Sequence, residues 1–215
     1  MPAPMMERRI LLRPERLGVW LDGFAVRHGA VSHVVTESTV AFTAADGSLA
    51  RVDLIWGPVV PDIPVPELVE QLTRERRVGA LLVRRAGHAV GIFQGSALLT
   101  SKVGSHYVQG TTKAGGWSQK RYSRRRENQA DHAFAKAAAE LQRILLPVLG
   151  SLEAVVTGGD SAAVRAVLAE PRLESVAALV VPRKPLPVPD PKRVVLEAFG
   201  ESYREIPILL RQPPE

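Results

Sequence analysis

The sequence predicts an α/β fold in which a mixed sheet carries flanking helices. Three short apolar strands follow one another within residues 80–103. A strand, a glycine turn, a helix and a second strand then follow within residues 152–181, which is the order of a βαβ unit. Between them, apolar residues recur at helical spacing over residues 118–149, so a long helix should cover the sheet.

The first 57 residues predict a small module made of a helix and a β-hairpin. Residues 13–28 have apolar side chains spaced three and four apart, as in a short amphipathic helix. Residues 34–43 and 49–56 alternate between apolar and polar, and Asp46-Gly47 between them is a strong hairpin turn signal.

Residues 58–181 are expected to form the main, catalytic domain. A proline-rich connector precedes a helix at 66–77, which Gly79 should end. The expected elements after it are strands at 80–84, 88–93 and 96–103, a loop at 104–118, the helix at 118–149 with a kink or early end at Pro147, a strand at 152–157, a helix at 161–168 and a strand at 176–181.

Residues 182–215 predict a proline-rich linker and a C-terminal segment. Half of residues 182–191 are proline, which favours an extended linker. A short helix at 194–199 and a strand at 206–210 should follow.

The Gly158-Gly159-Asp160 turn has two interpretations. A glycine turn before a helix can hold a phosphate at the helix N-terminus. The turn lacks the lysine of a P-loop and the spacing of a dinucleotide-binding motif, which favours a plain turn with Asp160 or Ser161 as the helix cap.

Composition excludes several classes of protein. The 215 residues include no cysteine, so a disulfide scaffold, a thiol nucleophile, an iron–sulfur cluster and a cysteine-built zinc site are excluded. The histidines lack metal-binding spacing, and no Gly-x-Ser-x-Gly elbow is present. No apolar run is long enough to span a membrane, and the N-terminus has no secretory signal. We therefore expect a cytoplasmic protein with no membrane partner, no metal and no cofactor.

The positive charge is concentrated in one short segment. The chain has 28 basic and 22 acidic residues, a net charge of +6. Residues 113–126 contain no acid and supply all six excess charges, from Lys113, Lys120, Arg121, Arg124, Arg125 and Arg126. A neutral body with one basic element favours binding to a phosphate backbone over a merely solvated helix face. On a helical wheel Lys120, Arg121, Arg124 and Arg125 fall opposite the apolar stripe, and Arg126 falls nearer to it.

The end of the predicted loop has residues suited to positioning chemistry. Gly115 and Gly116 allow a close backbone approach to a ligand, and the backbone N–H groups of a helix start stabilise anions. The amide of Gln119 cannot act as a base, but it can orient a water or hydrogen-bond an oxyanion. A glycine hinge with a structural glutamine is the alternative interpretation.

The segment GTTKAGGWSQKRYSRRRENQ resembles the catalytic loop and following helix of the bacterial Vms-like release factors. That family is similar to the middle domain of eukaryotic class-one peptide release factors, which carries a Gly-Gly-Gln loop. The resemblance is sharpest over residues 109–133 and extends over 66–181. It implies a release-factor middle-domain fold and peptidyl-tRNA hydrolysis on stalled large ribosomal subunits.

The resemblance assigns roles residue by residue. Gln119 takes the place of the catalytic glutamine, with Gly115 and Gly116 as the loop glycines and Ser118 as the serine that precedes the glutamine in Vms-like relatives. The basic residues of the helix would face the tRNA acceptor arm. Trp117 departs from the release-factor pattern, in which the glycines adjoin the glutamine; it would stack on a terminal base or wedge the loop.

The resulting hypothesis is an enzyme whose partners are the large ribosomal subunit and the acceptor stem and CCA end of peptidyl-tRNA. Gln119 and neighbouring backbone amides would orient a water toward the ester carbonyl and stabilise the departing ribose oxygen. The alternative is a noncatalytic RNA- or ribosome-binding protein that uses the same basic helix.

Overall fold

The computed structural model describes residues 5–56, 63–105 and 118–213, and the backbone alone at 118–128. The chain forms two compact units. The first combines Met1–Glu75 with Arg204–Glu215, and the second is Arg76–Tyr203. This grouping differs from the predicted division at residues 57 and 181.

The first unit contains a five-stranded antiparallel sheet with two helices. In chain order its elements are β1 (Met6–Leu12), α1 (Leu17–His28), β2 (Val31–Val35), β3 (Thr39–Ala44), β4 (Leu49–Asp53), α2 (Val65–Thr73) and β9 (Ile206–Gln212). The sheet order is β1-β9-β4-β3-β2. Both helices pack on one face, because Leu17, Phe24 and Leu68 share a buried cluster with Phe42 and Ile208.

The predicted hairpin turn is confirmed, and two strand predictions of this unit need correction. Gly47 has a φ of +85° in the turn between β3 and β4, a conformation that glycine adopts without strain. The predicted strand at 34–43 is divided between β2 and β3 by a turn closed by a 2.8 Å hydrogen bond from the Thr36 N–H to the Thr39 carbonyl. The strand expected near 206–210 is present as β9, but it lies inside this sheet rather than in a separate tail.

The second unit contains a mixed four-stranded sheet. Its elements are β5 (Arg77–Arg84), β6 (Gly87–Gln94), β7 (Ala97–Ser105), α3 (Ser118–Leu145), β8 (Ala154–Gly159), α4 (Ser161–Leu168), α5 (Glu174–Ala177) and α6 (Arg193–Ser202). The order is β7-β6-β5-β8, with β5 and β8 parallel and the other pairs antiparallel. The α/β class with a mixed sheet is therefore confirmed.

Helices cover both faces of this sheet. On one face Leu81, Val90 and Val155 pack with residues of α3 and α4. On the other, Phe93 contacts Tyr203 with their rings 5.6 Å apart, and Tyr203 donates a hydrogen bond to the Gly95 carbonyl. None of the described helices is long and apolar enough to cross a membrane.

Several predicted boundaries in this unit are wrong. Gly79 lies inside β5 rather than at a helix end, because the predicted helix already ends at Thr73 as α2. Residues 174–177 form a short helix, and only an isolated parallel bridge from Val180 to Val155 remains of the expected strand at 176–181.

The proline-rich stretch at 182–191 is extended, as expected, but it is not a free linker. Leu186 forms backbone hydrogen bonds with Thr157 and Gly159, so the segment runs along the edge of β8. Arg84, the last residue of β5, donates a hydrogen bond to the Val188 carbonyl at 2.6 Å and forms an ion pair with Asp190 at 3.6 Å. The proline-rich stretch is therefore also held to the end of β5.

Candidate active site

Only part of the predicted catalytic segment lies among the residues that the structure describes. Lys113, Gly115, Gly116 and Trp117 lie outside the described residues, as does the rest of 106–117. Strand β7 leads into this segment at Ser105, and α3 begins after it at Ser118. The predicted start of the helix at Ser118 is confirmed.

Ser118 and Gln119 lie in the first turn of α3. The N–H groups of a first helical turn have no intrahelical acceptor, and the helix dipole adds a partial positive charge there. The backbone of this turn therefore suits an anion or a developing oxyanion. For the side chains of these two residues, the catalytic roles remain predictions.

The basic residues of the helix follow at once. Lys120, Arg121, Arg124, Arg125 and Arg126 lie within the first three turns of α3, a stretch of about 10 Å at the rise of an α-helix. No acidic residue precedes Glu127 in the helix. The backbone thus brings these five positions together, and their contacts with RNA remain predictions.

The C-terminal half of α3 is held in the core. Ala137, Ala138, Leu141 and Leu145 are buried, and they pack against the β5, β6 and β8 side chains of one cluster. A Cβ on Gly79 would lie 2.7 Å from Leu145 Cδ1, so glycine in β5 makes room for the last turn of the helix. Pro147, which lacks an N–H, follows the end of α3 at Leu145 and lies in a 3-10 turn over Leu146–Ser151.

The basic N-terminal part of α3 lies far from its buried C-terminal half. Ala137 is the first fully buried residue among those of α3 whose side chains are described. It is eighteen residues after Gln119, which corresponds to about 27 Å along a helix. The helix therefore separates its anchor from its predicted catalytic residue by a distance comparable to the diameter of a small domain.

The Gly158-Gly159-Asp160 turn is a capped helix start. Asp160 Oδ1 accepts hydrogen bonds from the N–H groups of Ala162 at 2.8 Å and Ala163 at 3.0 Å. Gly159 has a φ of +98°, and a Cβ there would collide with the Val83 carbonyl. Because Asp160 occupies the N–H groups that a phosphate would need, the interpretation as a plain capped turn is confirmed.

A serine, a histidine and an aspartate also come together in the first unit. His28 Nδ1 lies 2.8 Å from Asp46 Oδ2 and 3.1 Å from Ser48 Oγ, while its Nε2 faces the Gln212 amide at 3.0 Å. A hydrolytic triad needs the serine and the carboxylate on opposite ring nitrogens. Here both contact Nδ1 and Ser48 is fully buried, so the group joins α1, the hairpin and β9.

The hydrogen bond that Asp46 accepts from the Ser48 backbone N–H lowers the pKa of Asp46 most. The hydrogen bond with the His28 side chain lowers this pKa further. Among the side chains that the structure describes, no group of His, Asp and Glu residues is arranged to hold a metal ion.

The sequence analysis did not single out His88 of β6, which is fully buried and lies opposite Gly104 of β7. A Cβ on Gly104 would lie within 3.0 Å of the His88 ring, and this pairing depends on strand register, which the sequence does not reveal.

Comparison with known proteins points to one kind of protein. A family model described as the Actinobacteria/Chloroflexi VLRF1 release factor matches residues 76–209, more than half of the chain. The chain is also similar to the peptide chain release factor subunit 1 of Aeropyrum pernix, with 29% identity over 102 residues. The corresponding protein of Pyrococcus abyssi is 33% identical over 99 residues.

These matches cover only part of the proteins concerned. The alignments span 46% and 44% of this chain but 27% and 24% of the two archaeal proteins. A crystal structure of the archaeal translation termination factor aRF1 aligns with 94% of this chain and 69% of that one, at 14% identity and a TM-score of 0.46.

Proposed function

The chain belongs to the Actinobacteria/Chloroflexi VLRF1 release factor family, and we propose that it hydrolyses the ester bond of peptidyl-tRNA on stalled large ribosomal subunits in ribosome rescue. The observation that carries the proposal is the position of Gln119 in the first turn of a helix whose next two turns are strongly basic. The proposal places the protein in the cytoplasm with the ribosomes.

The chemistry assigned to Gln119 is positioning rather than proton abstraction. Its amide would hold a water against the ester carbonyl, and the N–H groups of the helix start would stabilise the oxyanion that forms. The water oxygen bonds to the peptide acyl carbon, the bond from that carbon to the ribose oxygen breaks, and a proton from the water converts the leaving ribose oxygen to a hydroxyl. Gly115 and Gly116 would let the loop approach the CCA end closely, and ribosomal RNA would form the rest of the site.

The basic half of α3 would bind the substrate. Arg121, Arg124 and Arg125 would contact phosphates of the acceptor stem, with Lys113, Lys120 and Arg126 beside them, because guanidinium groups bind phosphate oxygens in pairs. Trp117 would stack on a terminal base. The separation of about 27 Å between Gln119 and the buried part of α3 suits a helix that enters a narrow ribosomal cleft.

The test is peptide release from purified large subunits that carry peptidyl-tRNA, in single turnover. Gln119→Ala should lower the release rate by about 100-fold or more, the scale of losing one oxyanion-stabilising group, with subunit binding unchanged. Gln129→Ala is a matched control, because Gln129 is an exposed glutamine on the same helix. Release by Gln119→Ala at the wild-type rate would refute the assignment.

A noncatalytic role is the second candidate. The concentration of basic residues in α3 is independent of Gln119 and would support binding to ribosomal RNA or tRNA alone. Salt-sensitive binding of the wild-type protein to large subunits, with no release above background, would favour this role over hydrolysis.

A further inference from the structure

Two adjacent arginines lie at the tip of the hairpin formed by β5 and β6, here called the hairpin tip (residues 84–87). Arg84 ends β5 and lies opposite Gly87 of β6, so residues 85 and 86 form a two-residue turn. Turns of this length favour glycine, asparagine or aspartate, whose backbones adopt the required conformations most easily. Arg85-Ala86 contains none of these residues. The geometry of the turn therefore does not account for an arginine at this place.

The hairpin tip lies beside the start of the predicted catalytic segment. Gly87 lies opposite Ser105, the end of β7, so their Cα atoms are about 5 Å apart. A Cβ on Gly87 would lie 2.5 Å from the Gly104 carbonyl oxygen, so β6 and β7 approach closely here. Arg85 precedes Gly87 by two residues, which span at most about 7 Å. The Cα atom of Arg85 is therefore within about 12 Å of that of Ser105.

The basic turns of α3 lie on the same side of the sheet as the hairpin tip. Strand β7 ends at this edge, whereas β8 begins at the opposite edge, where Ala154 lies opposite Val78. Helix α3 connects these two strands, and its last residue, Leu145, lies against Gly79 near the start of β5. The helix therefore runs from the edge that carries Arg85 toward the opposite edge, and its first turns lie at the Arg85 edge.

The two arginines of the hairpin tip have different surroundings. Arg84 is held by its hydrogen bond to the Val188 carbonyl and by its ion pair with Asp190. Asp160, which follows β8 at this edge, accepts hydrogen bonds from two N–H groups of α4. Arg85 is exposed, and among the side chains that the structure describes it has no acidic partner. A fixed turn therefore presents one free guanidinium group to solvent.

A free guanidinium group at this edge suits a phosphate of the RNA that α3 would bind. Guanidinium groups bind phosphate oxygens in pairs. A nucleic-acid duplex carries about one phosphate charge for every 2 Å of its axis, so a stem lying along α3 presents phosphates over its whole length. Arg126 precedes the buried Ala137 by eleven residues, or about 16 Å of helix. A stem that continues over this distance reaches the edge of the sheet.

We propose that Arg85 is a second phosphate contact for the RNA stem that α3 binds, separate from the basic turns of the helix. The inference rests on the proposed function for the identity of the partner as RNA, but it does not require hydrolysis. An arginine that is merely solvated at a turn is the alternative, and it predicts no change in binding when the charge is altered.

The test is the salt dependence of binding to purified large subunits that carry peptidyl-tRNA. Arg85→Glu should weaken the affinity about tenfold at about 0.1 M salt and reduce the slope of log affinity against log salt by about one, because one phosphate contact is lost. Arg85→Lys keeps the charge and should remain within about threefold of wild type. Arg172→Glu is the matched control, because Arg172 is an exposed arginine in the 3-10 turn after α4, and it should change neither quantity.

Vacant large subunits identify the source of the phosphate. A loss of affinity by Arg85→Glu that is confined to subunits with peptidyl-tRNA assigns the phosphate to the tRNA. An equal loss on vacant subunits assigns it to ribosomal RNA. Both results support the contact, because the chemistry that Arg85 recognises is the same.

Three results would overturn the inference. They are an unchanged affinity and slope in Arg85→Glu, equal weakening by Arg172→Glu, and a loss in Arg85→Lys as large as in Arg85→Glu, since a phosphate contact needs the positive charge. If the melting temperature of Arg85→Glu falls, Arg85→Gln is judged by the same criteria. Wild-type protein that binds subunits without releasing peptide would refute the proposed hydrolysis, and the binding of the Arg85 variants would still decide this inference.

Discussion

From Ser118 to Arg126 the helix α3 carries five basic side chains and no acid, whereas from Ala133 to Leu145 it carries five alanines, two leucines and a single glutamate. The second stretch includes the buried residues that hold the helix to its sheet. Both stretches are helical, because an α-helix satisfies its backbone hydrogen bonds internally whatever its side chains contact.

The difference shows how one element can serve two purposes. Its second half is stabilised by removal of apolar surface from water, which depends on packing and little on salt. Its first half would act by charge, which depends on salt and hardly on packing. Substitutions in the first half should therefore weaken binding, whereas substitutions in the second half should lower the stability of the fold.

Leu141→Ala should have the largest effect on stability. Leu141 is fully buried, and truncation of such a side chain costs about 3 kcal/mol through lost burial and the cavity left behind. Chemical denaturation monitored by circular dichroism measures this, with Leu141→Met expected to lose less than about 1.5 kcal/mol. A changed salt dependence of ribosome binding in folded Leu141→Ala would break the distinction between the halves.

Arg124→Glu combined with Arg125→Glu should have the converse effect. Loss of two phosphate contacts should weaken binding to the large subunit by about 10-fold or more and reduce the slope of log affinity against log salt by about two. Thermal stability should hardly change. Arg165→Glu, at an exposed position on α4, is the control for added negative charge, and equal weakening by it would remove the special role of α3.

Asp160→Ala should have a smaller effect, on stability alone. It removes the two hydrogen bonds to the N–H groups of Ala162 and Ala163, and loss of a helix cap costs about 1 kcal/mol. Asp160→Ser keeps an acceptor and should retain most of the stability in the same denaturation experiment. A measurable loss of release activity in Asp160→Ala would contradict its assignment as a plain cap.

Glu140→Gln should have the smallest effect on stability, and this effect should depend on pH, because the hydrogen bond from Arg143 lowers the pKa of Glu140. Its pKa in the folded protein is lowered, so the carboxylate adds stability above its ordinary pKa of 4.5, and this contribution is lost as the pH falls through the lower folded value. The difference in melting temperature between wild type and Glu140→Gln should therefore shrink below about pH 4.5. A difference that grows toward acid pH would mean that Glu140 is not stabilised as an anion.

Local patterns predicted the parts of this protein that depend on near neighbours in sequence. The start of α3, the strands β5 to β7, the bounds of α4 and the Asp46-Gly47 turn were all foreseen. Each is determined within a few residues by apolar period, a cap or a turn residue. The same holds for the concentration of charge next to Gln119 and for the motif that indicated the family.

Predictions failed where the conformation of a segment depends on a contact with residues far away in the sequence. Gly79 resembles a helix stop, but as a β5 residue it leaves room for Leu145, which lies more than sixty residues later. The proline-rich stretch has the composition of a linker, yet Leu186 joins the edge of β8. No local pattern contains the partner that makes either choice favourable.

The sequence by itself determined the α/β class, the long helix with its two unlike halves and the candidate catalytic residues. Periodicity, charge and motif each depend only on residues that are close together in the sequence. Only the tertiary structure decided that β9 lies between β1 and β4, with Met6 opposite Gln212, and that His88 lies against Gly104 beneath α3. Strand partners and register are set by the burial of whole faces, to which residues from both ends of the chain contribute.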